Sequence, residues 1–359
     1  MSLTLTVDGD RWRSHLRMVA DATPGLVPVA KGNGYGFGMG RLARRTQWLA
    51  DQGLGCDTLA VGTYEELPEV ASRFDGDLLV LTPWRPFGAA LELDPALAGR
   101  VIHTVGRAED LRGLLERQPD ARYVLELITS MYRHGLNHAG LHEVADTGLV
   151  GNGLAGVALH LPLARSHLKE AHRLVNDVVA AGIGTPDRPG GTTVWVSHLT
   201  QGELGALRSA YPDFTFRPRI GTGLWLGDRQ VLRVTATVLD VHPLDRGDVF
   251  GYRGRTAPRS GHLLVVSGGT AHGIGLESPM GESSLKSRTA TLARGGMDAA
   301  GFVRSPFIVD GKQRLFAEPP HMQASMLFLP HGPQVPEVGD ELSLRVRYTA
   351  TTFDRVIVD

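Results

Sequence analysis

The stretch VPVAKGNGYGFGMG, Val27 to Gly40, joins a short apolar run to a single lysine and a train of alternating glycines. Val27, Val29 and Ala30 read as a buried strand that stops at Lys31. Gly32, Gly34, Gly36 and Gly38 free the backbone to take positive φ or to approach a ligand closely. Two ligands suit that arrangement: a dinucleotide pyrophosphate cradled by glycines, or a carbonyl cofactor tethered to the lysine as a Schiff base. The glycine spacing matches a dinucleotide fingerprint only crudely and gives Lys31 no task. A charged lysine closing a buried strand is costly without one. At the C-terminal rim of a barrel strand, by contrast, it would stand where catalytic residues sit.

The rest of the chain narrows the setting. Its 359 residues suffice for two ordinary domains or a large barrel with an appendage, and 42% hydrophobic with 21% charged residues is a normal globular mixture. A formal net charge of −1 gives no reason to expect a nucleic-acid or anionic-membrane partner. The N-terminus lacks the pattern of a signal peptide, and no apolar run approaches the roughly 20 residues of a membrane helix. Cys56 is the single cysteine, which excludes an intrachain disulfide and a cysteine-based metal cluster. A cytoplasmic protein without a bound metal is the expectation.

Working outward from Lys31, β-like runs alternate with amphipathic helical stretches as far as about Gly227. The strand candidates are LVPVAKG, TLAVGTY, DLLVLTP, RVIHTV, YVLELIT, GVALHLP, TVWVSHL and FRPRIG. Between them lie segments such as GRLARRTQWLADQG, RAEDLRGLLERQ and RSHLKEAHRLVNDVVAAG. Roughly eight strand–helix units suit a (β/α)8 TIM-type barrel, although a doubly wound open sheet would alternate in the same way. After Gly227 the pattern changes. VLRVTATVLDVH, HLLVVSG, LSLRVRY and FDRVIV alternate with period two between Gly and Pro clusters, as in an all-β domain. The expected domains are therefore 1–227, a barrel, and 228–359, a C-terminal β domain.

The segment VAKGNGYGFG resembles the cofactor-lysine motif of the alanine racemase family, the fold-type III pyridoxal-phosphate enzymes. The resemblance continues to Tyr348. It implies that Lys31 carries pyridoxal 5'-phosphate and that Tyr35 contacts its phosphate. In LELITSMYRHGL, Arg133 takes the place of the arginine that meets the cofactor's phenolic oxygen and the substrate. Glu126 stands where many alanine racemases have a carbamylated lysine, which conserves the negative charge beside Arg133. His160 in GVALHLP matches the histidine beneath the pyridine ring. In FRPRIGTGLW, Arg219 matches the arginine at the pyridine nitrogen, with Gly221 and Thr222 as phosphate binders. Ser197 and Thr200 both suit the phosphate contact after the seventh barrel strand, and Thr200 is preferred. Because a guanidinium keeps its proton, an arginine at the pyridine nitrogen leaves that nitrogen neutral and favours simple removal and return of a proton.

In the β domain, RGDVFGYRGRTA is similar to the segment carrying the family's second base, a tyrosine supplied by the partner subunit. The register gives Tyr252, and a slip of two residues would give Phe250, which moves no proton. Met322 in PPHMQASML matches a methionine whose backbone meets the substrate carboxylate, between His321 and Gln323 where the family usually has Cys and Asp. Tyr348 matches the C-terminal tyrosine near the phosphate. Thr270 replaces a common entrance tyrosine, which implies a wider mouth and a substrate larger than alanine. The resemblance thus implies an amino-acid racemase in which Lys31 and Tyr252 exchange the α-proton on opposite faces, with positive charge from His160 and Arg219 supporting the tyrosine. It also implies a homodimer with a shared site. The alternatives are a decarboxylase or lyase of the same fold type, and a pyridoxal-phosphate-binding protein without catalysis.

Overall fold

The computed structural model describes residues 2–163, 165–276, 303–332 and 334–359. Its first elements are a strand, β1 (Leu3–Val7), and a helix, α1 (Gly9–Asp21). Next come the apolar runs singled out above, now eight parallel strands. These are β2 (Val27–Ala30), β3 (Thr58–Val61), β4 (Asp77–Pro83), β5 (Val101–Val105), β6 (Arg122–Leu127), β7 (Leu154–His160), β8 (Thr193–Ser197) and β9 (Thr215–Ile220). Each pairs with the next, and β9 returns to β2 through the register Val27↔Arg219, so the sheet closes. A closed barrel has no open edge, and this removes the open-sheet alternative.

Helices α2 (Met39–Asp51), α3 (Leu67–Ala71), α4 (Ala108–Arg117), α5 (His138–Asp146), α6 (Leu168–Ala180), α7 (Gln201–Ala210) and α8 (Thr222–Trp225) follow the barrel strands. The connection from β4 to β5 is the exception and holds only short 3₁₀ turns, Gly88–Leu91 and Pro95–Leu97. Pro86, Gly88 and Pro95 interrupt that segment, and proline removes the donor and the backbone freedom a helix needs. The barrel interior is filled by Val27, Val29, Ala60, Leu79, Ile102, Val124, Ala158 and Trp195, all buried and drawn from seven of the eight strands. Trp195 donates its indole N–H to the Ala155 carbonyl at 2.9 Å, so the largest of these side chains leaves its donor satisfied.

The second unit is an eight-stranded sheet. Its strands are β1 with β10 (Leu232–Leu244), β13 (Gly261–Ser267), β14 (Arg304–Val309), β15 (Lys312–Phe316), β16 (Ala324–Pro330), β17 (Glu341–Leu344) and β18 (Arg355–Val358). A separate two-stranded hairpin is formed by β11 (Val249–Phe250) and β12 (Arg255–Thr256). The alternation expected after Gly227 is visible in β16, whose odd-numbered positions Ser325, Leu327 and Leu329 are buried. All pairs in the large sheet are antiparallel except β1 with β18.

The chain divides after Gly227, but the sequence before that point is not all of one kind. Met1–Trp12 and Tyr35–Phe37 group with Asp228–Asp359, whereas Arg13–Gly34 and Gly38–Gly227 form the barrel unit. The sequence reading kept 1–227 together. The physical reason for the difference is β1, which pairs with β10 from Leu3↔Ala236 to Val7↔Leu232 and lies beside β18 on its other edge. Among the described residues, no helix is long and apolar enough to cross a membrane.

Candidate active site

Side chains alternate across a strand, so the residue two places beyond an inward core residue also points inward, nearer the C-terminal rim. The interior layer therefore predicts its own rim. Two places beyond Val29 comes Lys31, beyond Val124 comes Glu126, beyond Ala158 comes His160 and beyond Trp195 comes Ser197. Arg217, whose guanidinium lies 4.4 Å over the Trp195 ring, is followed in the same way by Arg219. Five strands thus deliver a lysine, a carboxylate, an imidazole, a hydroxyl and a guanidinium to one end of one barrel.

Glu126 is the hub of their charges. One carboxylate oxygen lies 3.6 Å from Arg219 Nη1 and the other 3.8 Å from Arg133 Nη2. Arg219 also donates through Nε to Ser197 Oγ at 3.1 Å and through Nη2 to the Leu159 carbonyl at 3.1 Å. Both Glu126 and Arg219 are buried. Burial pushes the Glu126 carboxyl up and the Arg219 guanidinium down, and each partly restores the other. Since a guanidinium keeps its proton inside proteins, Glu126 serves this pair as a carboxylate.

The charge balance reaches Lys31 and His160. Lys31 stands in the open mouth, yet the surrounding strand ends desolvate its ammonium and lower its pKa, with Arg133 and Arg219 adding to the effect and Glu66 opposing it. A lysine so placed gives up its proton more readily and is a better nucleophile and base. His160 is pushed down to about 3, by burial first and then by Arg219 and Arg133. It is neutral at physiological pH. The positive charge at this rim comes from the arginines, not from His160 as the sequence reading supposed.

The glycine train explains the turn after Lys31. Gly32, Gly34, Gly36 and Gly38 all have positive φ, between 60° and 88°. At Gly34 a Cβ would stand 2.7 Å from the Met39 amide, so no other residue fits this sharp entry into α2. Tyr35 is buried within the 3₁₀ turn Gly34–Gly36, itself at φ 55°. Gly221 and Thr222 form the turn from β9 into α8. Thr200 caps α7. Its hydroxyl accepts from the Glu203 amide and bonds the Glu203 carboxylate at 2.8 Å, so it is already engaged in a capping box.

The remaining expected residues lie in the β unit. Tyr252 sits at the tip of the β11–β12 hairpin, 87% exposed, while Phe250 within β11 is paired with Arg255. Thr270 and Met322 line a cavity of about 570 Å³ together with Tyr252, Glu318, His321 and Gln323. The Met322 carbonyl accepts from the Ala271 amide at 2.9 Å. Tyr348 is tilted against Phe353 and carries the Arg229 guanidinium 4.9 Å over its ring.

Several site residues were not singled out from the sequence. Glu66 accepts from the amides of Gly32 and Gly62 at 2.7 and 2.6 Å, which ties the turn after Lys31 to the end of β3. At Gly62 a side chain would meet the Cβ of Lys31 at 3.0 Å, so that glycine leaves room for the lysine. His198 lies 5.0 Å from His160 ring to ring and bonds the Leu161 carbonyl through Nδ1 at 2.6 Å. His198 takes a left-handed φ of 64°, which no residue type in its sequence context announces. Cys56 is buried, and its thiol is pushed up to about 12, which makes it inert.

No curated protein matches this sequence. Residues 7–182 match the family model described as alanine racemase, N-terminal domain. Among solved structures, the chain is similar to the alanine racemase from Bartonella henselae with covalently bound pyridoxal phosphate, at TM-score 0.69 and 16% identity over the whole of both chains. It is similar to a Clostridium difficile alanine racemase at TM-score 0.70 and 14% identity, covering 100% of this chain and 96% of the other. The histidine racemase from Leuconostoc mesenteroides matches at TM-score 0.64 and 16% identity, over 99% and 98%. The barrel followed by a β domain is thus the fold of fold-type III alanine racemases.

Proposed function

We propose that this chain, whose barrel carries the alanine racemase N-terminal domain, is a pyridoxal-phosphate-dependent amino-acid racemase. The observation that carries the reading is the rim itself: a desolvated lysine directly after β2 that feels the charges of Arg133 and Arg219, both of which pair with the buried Glu126. The residues fit the cofactor. Lys31 would hold its aldehyde, Arg219 would face its ring nitrogen, and Arg133 its phenolic oxygen. The Gly221–Thr222 turn, Tyr35 and Tyr348 would serve its phosphate. Ser197 is bound to Arg219 and Thr200 to Glu203, so either hydroxyl would exchange that partner to reach the phosphate.

When bound, pyridoxal phosphate acts as an electron sink that acidifies the α-hydrogen of an amino acid. The protein's share is to hold and move that proton. Lys31, with its lowered pKa, is suited to take or return it on one face. Tyr252 of the partner subunit would act on the other face, which makes a homodimer the active form. Its exposure at a hairpin tip supports a role outside its own chain. Glu126 holds Arg133 and Arg219 in place, and the neutral His160 packs without adding charge.

The substrate is an amino acid. Thr270 in place of a bulky entrance aromatic, and the likeness to a histidine racemase as well as to alanine racemases, support a side chain larger than methyl. The test is proton NMR in D2O of protein loaded with pyridoxal phosphate, using single enantiomers of alanine, serine and histidine. Loss of the α-proton signal with appearance of the opposite enantiomer is expected, and Lys31→Ala should lose both this activity and the cofactor's protein-bound absorbance band. Cofactor binding without α-proton exchange on any substrate would overturn the racemase reading. A rate falling steadily from alanine upward would overturn the larger substrate.

A further inference from the structure

A second group of titratable side chains lies in the β unit, around Tyr252. The ring of His321 is in contact with that of Tyr252, centroids 4.5 Å apart and planes tilted by 47°. Behind the histidine stands Glu318, whose side chain is only 2% exposed and whose Oε1 meets His321 Nε2 at 2.6 Å. The same oxygen accepts from the Tyr252 backbone N–H at 3.3 Å. Gly251 makes this approach feasible: it has a φ of 72°, and a Cβ there would collide with the Glu318 carboxylate. One buried carboxylate therefore organises both the imidazole and the peptide of the tyrosine.

A carboxylate is costly to bury unless its partners matter. Here they follow one another as carboxylate, imidazole and hydroxyl-bearing ring, the imidazole bonded to the carboxylate and meeting the phenol ring to ring. With Nε2 bonded to Glu318, the ring nitrogen of His321 left for another partner is Nδ1. All three side chains line the 570 Å³ cavity that also holds Thr270 and Met322. Nothing else in the proposed racemase mechanism uses Glu318 or His321.

We propose that His321 and Glu318 are positioning residues for Tyr252: Nδ1 of His321 accepts the phenol proton, and Glu318 holds the imidazole to receive it. This rests on the reading of Tyr252 as the second base. In the step, the phenol O–H bond breaks and an Nδ1–H bond forms. Phenolate and imidazolium result, the latter compensated by the Glu318 carboxylate. The phenolate is then free to take an α-proton from substrate, and the reverse sequence delivers one.

Two measurements test the dyad. In the cofactor-free protein labelled with ¹⁵N-histidine, the Nδ1 resonance of His321, assigned by its loss in His321→Asn, should differ between wild type and Tyr252→Phe. An identical Nδ1 signal in the two proteins would overturn the relay and leave the pair as a prop for the hairpin. In the loaded protein, α-proton exchange is followed separately for the D- and L-alanine and D- and L-histidine enantiomers. His321→Asn should slow exchange of one enantiomer about tenfold or more, the scale of general-base contributions. Exchange of the enantiomer whose proton Lys31 removes should be preserved. Glu318→Gln, which keeps the shape and loses the charge, should show the same asymmetry in weaker form. Equal slowing of both enantiomers would overturn the proposal. If the wild type exchanges neither enantiomer, the racemase reading fails, and the Nδ1 signal judges the dyad by itself.

Discussion

At the scale of the residue, this barrel places titratable groups where water is scarce and lets neighbours decide their charge. His103, in the fourth strand of the barrel, is fully buried and bonds the Tyr64 hydroxyl through Nδ1 at 2.8 Å. Burial pushes it down to about 4. An unfolded histidine titrates near 6.5. Between these values the unfolded chain binds a proton that the native barrel refuses, so stability falls as pH falls. The contribution is fully present above pH 6.5 and is lost progressively toward pH 4. Urea-unfolding free energies measured from pH 7.5 to 4.5 should therefore decline, and His103→Gln should lessen the slope by about 1.4 kcal/mol per pH unit. Parallel profiles for the two proteins would show that His103 is not a source of the acid sensitivity. The rim shows the same physics put to use. Burial keeps His160 neutral, while the Glu126 carboxylate keeps two guanidiniums in place.

At the scale of the element, the turn between β2 and α2 is the most demanding piece of chain. Gly34→Ala should cost about 2 kcal/mol, because a side chain meets backbone and the φ is left-handed. Gly32→Ala, where nothing lies within 4 Å, should cost only about 1 kcal/mol for its left-handed φ. Equal losses in thermal or urea unfolding would mean that the contact with Met39 is relieved by movement of α2. Elements of this kind were the most legible part of the sequence. The eight barrel strands are the eight apolar runs, because a strand buried on both faces reads as a continuous hydrophobic stretch. The lysine and the glycines mark one strand end in the same local way. Other contributions to the site were invisible because they are made by distance in space. Glu66 reaches the Lys31 turn from the far side of β3, His198 meets His160 across two strands, and Glu318 meets Tyr252 from 66 residues away. None of these carries a spacing that a sequence alone could reveal. β1 was not singled out from the sequence, because its partner strands β10 and β18 come much later in the chain.

At the scale of the whole molecule, an active site shared between subunits has a consequence that can be counted. If Lys31 of one subunit works with Tyr252 of the other, inactive Lys31→Ala and Tyr252→Phe chains should complement each other when their subunits exchange. Half of the reassorted dimers would be mixed, and each mixed dimer would hold one intact site and one doubly damaged site. About a quarter of wild-type activity per dimer is expected, from the symmetry of a two-fold assembly. No recovery after verified exchange would place both bases in one chain.

The pairing of β1 has a further consequence for the order in which the protein can be made. β1 leaves the ribosome before the barrel strands, yet its two neighbours, β10 and β18, are synthesised after all of them. The barrel can close as soon as its eighth strand emerges, but the β unit must wait until β18 has been made. Until then β1 is a nascent strand with two bare edges, tethered to a partly folded chain and exposed to whatever else can pair with it. The window for misassembly is therefore set by elongation speed, and slow codons late in the message would lengthen it without changing a single residue.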